Sequence, residues 1–356
     1  MSRFLSKRFA ELEAYTPGEQ PQNKQYVKLN TNESPFPPSP EVVEAVNALQ
    51  VSQLNLYPDP ECNVLRQKLA RLHGVKEENI CLTNGSDDVL NFSFMAFCDG
   101  ERPVAFPAIS YGFYAVYADL YHIPHMAIPL REGFRLAAED YCGIGHNVVI
   151  ANPNAPTGRA IGLDEIEMIL KSNPDHVVLI DEAYVDFGAA SCLPLLEKYD
   201  NLLISRTFSK SHSMAGGRLG YALGSRELIE DLNKIKYSTN PYNINRLTQV
   251  AAQAAVDSNS YYMENARIIA EIREYTAEKL RQMGFEVVPS QANFLFATLP
   301  WMEGNALYST LKEKGVLVRH WKKPEIGNYV RITIGSRAQM DILFEKLEEI
   351  IKEAGR

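Results

Sequence analysis

From residue 80 onward, short apolar runs alternate with stretches of helical spacing, and this alternation sharply limits the folds open to the chain. Ile80-Cys81-Leu82-Thr83 reads as a strand. The turn and capping residues Asn84-Gly85-Ser86-Asp87 follow, then a helix from about Val89 to Phe97. The order recurs, with a strand at Pro103 to Phe106 before a helix at Tyr111 to Leu120, and a strand at Val148 to Ala151 before a helix at Leu163 to Leu170. Val177 to Ile180, Leu202 to Ser205 and Leu219 to Leu223 are further apolar strands. Continuous apolar runs of this kind predict an α/β fold, with a mostly parallel sheet covered by helices on both faces.

The flanks read differently. Proline at 17, 21, 35, 37, 38 and 40 breaks any helix across the start, so residues 1–40 are expected to form an arm packed on something larger. Tyr242 to Met283 is nearly all helix-compatible, with a break near Ser258-Asn259-Ser260. The last part predicts strands at Ala292–Ala297, Val316–Arg319 and Tyr329–Ile334, and helices at 303–314 and 338–353. The expected organisation is an N-terminal arm 1–40, a large α/β domain 41–245 and a smaller C-terminal α+β domain 246–356.

Charge and cysteine content exclude several classes. A net charge of −8, from 36 basic and 44 acidic residues without basic blocks, argues against a nucleic-acid or anionic-membrane binder. No window reaches the roughly 18 apolar residues of a membrane span, and Met1 to Arg8 lacks the apolar stretch of a signal peptide. Cys62, Cys81, Cys98, Cys142 and Cys192 are odd in number, widely spaced and never in a CxxC pair. A disulfide scaffold and a cysteine metal site are not expected, and a reduced cytoplasm fits.

Three segments carry chemistry. In Arg206-Thr207-Phe208-Ser209-Lys210-Ser211-His212-Ser213-Met214-Ala215-Gly216-Gly217-Arg218, a lysine follows a strand, is flanked by hydroxyls and precedes glycines and an arginine. The segment suits a phosphate, or a lysine that bonds an aldehyde cofactor. It lacks GxxxxGK[ST], and the chain lacks the GxGxxG of a dinucleotide site. Asp181, in Ile180-Asp181-Glu182-Ala183-Tyr184, stands at the carboxyl end of an apolar strand, where it can be a metal ligand, a cap or a cofactor partner. Asn152-Pro153-Asn154-Ala155-Pro156-Thr157-Gly158 lies just past another strand and by itself is a turn.

Together these segments resemble the fold type I pyridoxal-phosphate aminotransferases, and within them the histidinol-phosphate aminotransferases. The likeness runs from Leu29-Asn30-Thr31-Asn32-Glu33-Ser34-Pro35, through Tyr57-Pro58-Asp59-Pro60, to Val330-Arg331-Ile332-Thr333-Ile334-Gly335. It implies pyridoxal 5'-phosphate as cofactor and amino transfer between histidinol phosphate and 2-oxoglutarate. An aromatic or broad amino-acid aminotransferase and a threonine-phosphate decarboxylase are the alternatives. A cofactor-binding regulator would need a helix-turn-helix that the proline-broken first 40 residues do not supply.

The resemblance also implies roles. Lys210 bonds the cofactor, Asp181 pairs with its ring nitrogen, and Asn154 and Tyr184 bond its phenolic oxygen. Ser86, Asp87, Ser209 and Arg218 cradle its phosphate, and Tyr111 stacks on its ring. Tyr57 reaches the cofactor phosphate of a neighbouring subunit, which implies a homodimer with shared sites. Arg331 clamps the substrate anion, Arg319 assists, and Tyr15 closes over the substrate. His212 is expected to be structural. The pattern departs at Leu56, Ser34 and Gly217, where relatives often carry arginine, asparagine and leucine; none of these removes a group that amino transfer requires.

Overall fold

The computed structural model describes residues 5–6, 9, 12–13, 15–20 and 25–355. Its centre is a seven-stranded sheet in the order Ile80–Thr83, Gly220–Gly224, Leu202–Thr207, Val178–Asp181, Asn147–Ala151, Val104–Pro107, His125–Ile128. Only Gly220–Gly224 runs against its neighbours; the other links between adjacent strands are parallel. In strand Asn147–Ala151 every residue is buried, so both faces need cover. Alternation divides the work: Val148 and Ile150 pack with helices Asn63–His73, Leu163–Ser172 and Arg246–Asp257. Val149 and Ala151 pack with helices Ser86–Phe97, Phe113–Tyr121 and Arg226–Thr239.

A second core lies under a four-stranded antiparallel sheet, in the order Arg319–His320, Tyr329–Thr333, Phe294–Thr298, Glu286–Val288. Helices Gly304–Glu313 and Arg337–Glu353 cover it with Leu307, Leu311, Leu343 and Leu347. Strand Val27–Lys28 pairs in parallel with Val316–Leu317, and Leu29 is buried in the same core. This segment of the arm therefore packs on the smaller sheet. Residues 1–4, 7–8, 10–11, 14 and 21–24 of the expected arm 1–40 lie outside the described residues. Among the described residues no helix is long and apolar enough to cross a membrane.

Two details differ from the sequence reading, each for a packing reason. His125–Ile128 forms an edge strand with three of its four residues exposed, so it has no apolar run to announce it. The expected strand Val316–Arg319 is split: Val316–Leu317 pairs with the arm, whereas Arg319–His320 joins the four-stranded sheet. Helix Arg246–Asp257 buries Ala251, Ala252, Ala255 and Val256 in the large core, and Tyr262 follows them. Ala266 and Ile269 belong to the other core. Helix Asn259–Gln282 thus packs its first turn on the large core and the rest on the smaller one.

The reversed strand touches the start of helix Ser86–Phe97. A Cβ on Gly220 would lie 2.3 Å from the Ser86 backbone nitrogen and 2.4 Å from the Gly85 carbonyl carbon. Both neighbours are backbone, so neither yields cheaply. Gly220→Ala should destabilise the protein by about 1–3 kcal/mol, the usual range for overpacking. Urea denaturation checks this; an unchanged midpoint would show that the helix start tolerates displacement.

Candidate active site

The carboxyl ends of the parallel strands open into one cavity of about 330 Å³, the position where open α/β sheets gather ligand-binding groups. Strand Ile80–Thr83 delivers Ser86 and Asp87, and the turn after Val104–Pro107 delivers Tyr111. Val178–Asp181 delivers Asp181 and Tyr184, and Leu202–Thr207 delivers Ser209 and Lys210. Arg218 and the arm residues Tyr15, Gly18 and Thr31 complete the wall.

Asp181 is only 5% exposed. Its Oδ2 accepts the Tyr114 hydroxyl at 3.2 Å, whereas its buried Oδ1 has no partner. Burial pushes its pKa up to about 7, the Tyr114 hydrogen bond opposes this, and the charge of Asp87 adds to it. A carboxylate so placed calls for a donor from a ligand: an orphaned buried acceptor costs stability, and a cationic N–H satisfies both the lone pair and the charge. The ring nitrogen of pyridoxal phosphate is such a donor, so this position fits that cofactor. The next residue behaves oppositely. Glu182 is paired with Arg206 at 2.8 Å and accepts Ser191 Oγ at 2.8 Å.

Lys210 Nζ donates to the Thr31 carbonyl at 3.3 Å and lies 5.7 Å from the centre of the Tyr184 ring. The Tyr184 hydroxyl accepts Asn32 Nδ2 at 2.9 Å. At the other side, helix Ser86–Phe97 starts from Gly85, at φ +80°, with no side-chain cap on its free N–H groups. Arg218, itself at φ +52°, bonds Asp87 Oδ2 at 3.1 Å and lies 3.5 Å from Ser209 Oγ. Tyr111 donates to Asp87 Oδ1 at 2.9 Å; burial beside Asp87 raises its pKa and keeps it a donor. Free amides, a guanidinium and a serine at one helix start suit a phosphate.

Asn154 stands in the wall but not on this cavity. Its Nδ2 donates to the Ile109 carbonyl at 3.0 Å and to Thr157 Oγ1 at 3.1 Å, and its Oδ1 accepts Ser110 at 2.7 Å. It lines a neighbouring cavity of about 210 Å³. Arg331 is half-buried with its guanidinium Nε inside; desolvation lowers its pKa, with Tyr184 raising it and Arg319 lowering it further. Its Nη2 donates to the Asn30 carbonyl at 3.0 Å, and its buried Nε has no partner. Arg319 donates to the carbonyls of Thr16 and Pro17 at 3.1 and 3.2 Å, which holds the arm. Tyr15 packs on Phe113 with ring centres 4.3 Å apart.

Tyr57 is not brought to the cavity of its own chain: it is 79% exposed and stacks on Tyr242 at 4.5 Å. His212 is buried between Phe208 and Tyr262 and bonds Ser211 and Asn259. Sequence reasoning assigned no role to Tyr114 or to the arm residues Asn30, Thr31 and Asn32. Their contacts are with residues 67 to 301 positions away, which no local pattern reveals.

The family profile described as aminotransferase class I and II matches residues 24–347. Over 98% of this chain and 100% of the relative, the chain is 49% identical to a protein named histidinol-phosphate aminotransferase from a Marinomonas species. The protein of the same name from Brachyspira hyodysenteriae is 46% identical over 99% of this chain and 100% of its own length. The crystal structure of histidinol-phosphate aminotransferase from Sinorhizobium meliloti in complex with pyridoxal-5'-phosphate superposes with a TM-score of 0.88. It is 24% identical, covers 99% of this chain and 100% of its own, and shows a common fold.

With no ligand bound, the Asp181 carboxyl takes up a proton on folding between its ordinary pKa of 3.8 and about 7. The folded state binds more protons across that window, so stability falls as pH rises through it. Asp181→Asn removes this loss. The ligand-free variant should gain on the order of a few kcal/mol relative to the ligand-free parent between about pH 4 and pH 8. Denaturation of both at the two pH values measures this; an equal difference at both would contradict the burial argument.

Proposed function

The chain belongs to the class I and II aminotransferases, and on that premise we propose that it transfers the amino group of L-histidinol phosphate to 2-oxoglutarate. The products are imidazole-acetol phosphate and L-glutamate, and the reaction is a step of histidine biosynthesis. Pyridoxal 5'-phosphate is the cofactor. The observation that carries the reaction type is a lysine amine on one cavity with an unpaired carboxylate oxygen, Asp181 Oδ1. The substrate rests on the full-length relatives that bear this name.

When bound, the cofactor supplies an aldehyde that takes up the amine and a cationic ring that draws electrons from the substrate carbon. Asp181 keeps that ring protonated, because its Oδ1 has no other donor and Tyr114 orients the carboxylate. Ser86, Ser209 and Arg218 hold the phosphate at the uncapped helix start. Arg218 must share its pairing with Asp87 to do so. Tyr184 supports the phenolic oxygen, its own oxygen fixed by Asn32. Asn154 assists once an amide hydrogen is released from its loop. Tyr111 covers one face of the ring and excludes water. Lys210 would take the proton from the substrate carbon bearing the amine and deliver it to the cofactor's aldehyde carbon, acting as base and then as acid. Arg331 receives the substrate phosphate or the glutamate carboxylate in turn, because its planar fork suits both. Arg319 and Tyr15 close the arm over them.

Amino transfer to 2-oxoglutarate from histidinol phosphate, phenylalanine, tyrosine and threonine phosphate, compared as kcat/KM, tests the assignment. Histidinol phosphate should lead the panel, and borohydride should leave the cofactor attached to the Lys210 peptide. A leading aromatic amino acid would move the chain to another branch of the family, and label on a different lysine would sink the site.

The active form is a homodimer with shared sites, and its place is the cytoplasm. Support for sharing comes from Tyr57, which is exposed, lies in the rigid Tyr57-Pro58-Asp59-Pro60 segment and is absent from its own chain's cavity. Mixing Tyr57→Phe subunits with Lys210→Ala subunits builds dimers in which one site keeps both native groups. Activity should exceed the sum of the parents, with cofactor affinity measured for each species. No gain would rule out sharing through Tyr57.

A further inference from the structure

Arg319 and Arg331 are direct register partners across two antiparallel strands. Like charges placed opposite each other destabilise a sheet, and no carboxylate is paired with either among the described residues. What lies against them is aromatic. The Arg319 and Arg331 guanidinium carbons lie over the Trp321 ring, 5.4 and 5.2 Å from its centre, and that of Arg331 lies 5.2 Å from the centre of the Phe294 ring. Trp321 is two residues beyond Arg319 and packs edge-on to Phe296, the register partner of Arg331 on its other side.

We infer that Trp321 is a positioning residue for anion recognition, holding both guanidiniums in place of a counter-ion and leaving the unused N–H groups of Arg331 for the substrate phosphate or carboxylate. The chemistry favours a ring over an acid at this point. A carboxylate would quench the two charges but would occupy the same N–H groups that the substrate needs. An indole attracts the cations through its face and occupies none of those groups. The remaining contacts agree with this division. Arg331 uses one Nη for the Asn30 carbonyl and has an unpartnered Nε. Arg319 uses its two Nη groups on arm carbonyls, so the ring couples the arm's latch to the anion-binding arginine. Burial depresses the Arg331 pKa, the trend a cationic face contact opposes. This inference rests on the aminotransferase reading of the site but not on the identity of the amino donor.

The test uses the holoenzyme and three variants. Trp321→Ala should raise KM for histidinol phosphate and for 2-oxoglutarate by roughly tenfold each, with kcat changed less than about threefold. Calorimetric binding of inorganic phosphate should weaken by a similar factor, and the visible absorbance of the cofactor should stay as it is. Trp321→Phe keeps a ring and should return within about threefold of the parent. Trp321→Leu keeps apolar bulk without a π face and should remain as weak as alanine, which also covers the case in which alanine folds poorly. Recovery by leucine, or alanine with unchanged KM and phosphate affinity, would overturn the inference. If the parent turns over glutamate and 2-oxoglutarate but not histidinol phosphate, the substrate assignment fails, and the 2-oxoglutarate and phosphate measurements still decide the role of Trp321.

Discussion

A carboxylate without a counter-ion, buried at the end of the central strand, is the constraint around which the site is arranged. Asp181 and Glu182 are neighbours of the same chemistry with opposite fates. Glu182 is neutralised by Arg206, which also pairs with Asp186 at 3.1 Å, and Asp186 in turn accepts the Ser211 hydroxyl beside Lys210. Asp181 has no cationic partner: the Tyr114 hydroxyl bonds Oδ2, the Ala183 backbone N–H adds a weaker contact, and Oδ1 has no hydrogen-bond partner of good geometry. Burying a charge unpaired is expensive, and the protein meets that cost at one of the two adjacent positions only. The ion network behind the strand fixes the backbone, while the carboxylate on the cavity is left for a cationic ligand to complete.

Arg331 mirrors this at the other end. It is a half-buried cation with one carbonyl and two rings for company. The structure thus holds a negative group on the cavity and a positive group beside it, neither with a charged side-chain partner among the described residues. Both are unfavourable in the empty protein and both are relieved by binding. Ligands that satisfy them bind the folded chain and not the unfolded one, so occupancy and stability rise together. A ligand that lacks the ring N–H or the anion leaves a buried charge unpaired, a larger loss than a missing apolar contact.

The large sheet was legible because its strands are buried on both faces and read as continuous apolar runs; the Lys210 and Asp181 segments were legible because they sit at the carboxyl ends of two such runs. What was not legible depends on partners distant in sequence. Tyr114 looks like one more helix aromatic until it meets Asp181. Trp321 lies in a polar stretch whose strand pairing alone brings it to two arginines. His125–Ile128 is an edge strand that water faces on most residues, so periodicity is silent there. Helix Asn259–Gln282 contributes Tyr262 to one core and Ala266 and Ile269 to the other, so no break in its sequence pattern marks where the packing changes.

The arm supplies the last step, because it joins elements that neither core joins alone. Four consecutive residues, Leu29 to Asn32, offer their carbonyls in turn. Leu29 accepts the Thr333 backbone N–H at 2.9 Å, Asn30 accepts Arg331, Thr31 accepts Lys210, and Asn32 accepts Asn293 Nδ2 at 3.0 Å. The Asn32 side chain then donates to Tyr184 and accepts from Thr333 Oγ1, from a backbone held at φ +56°. Asparagine tolerates that conformation better than a branched residue does. The strip ties Lys210, beside the large sheet, and Arg331, on the small one, to adjacent peptide units. Within this strip the cavity is lined only by Thr31.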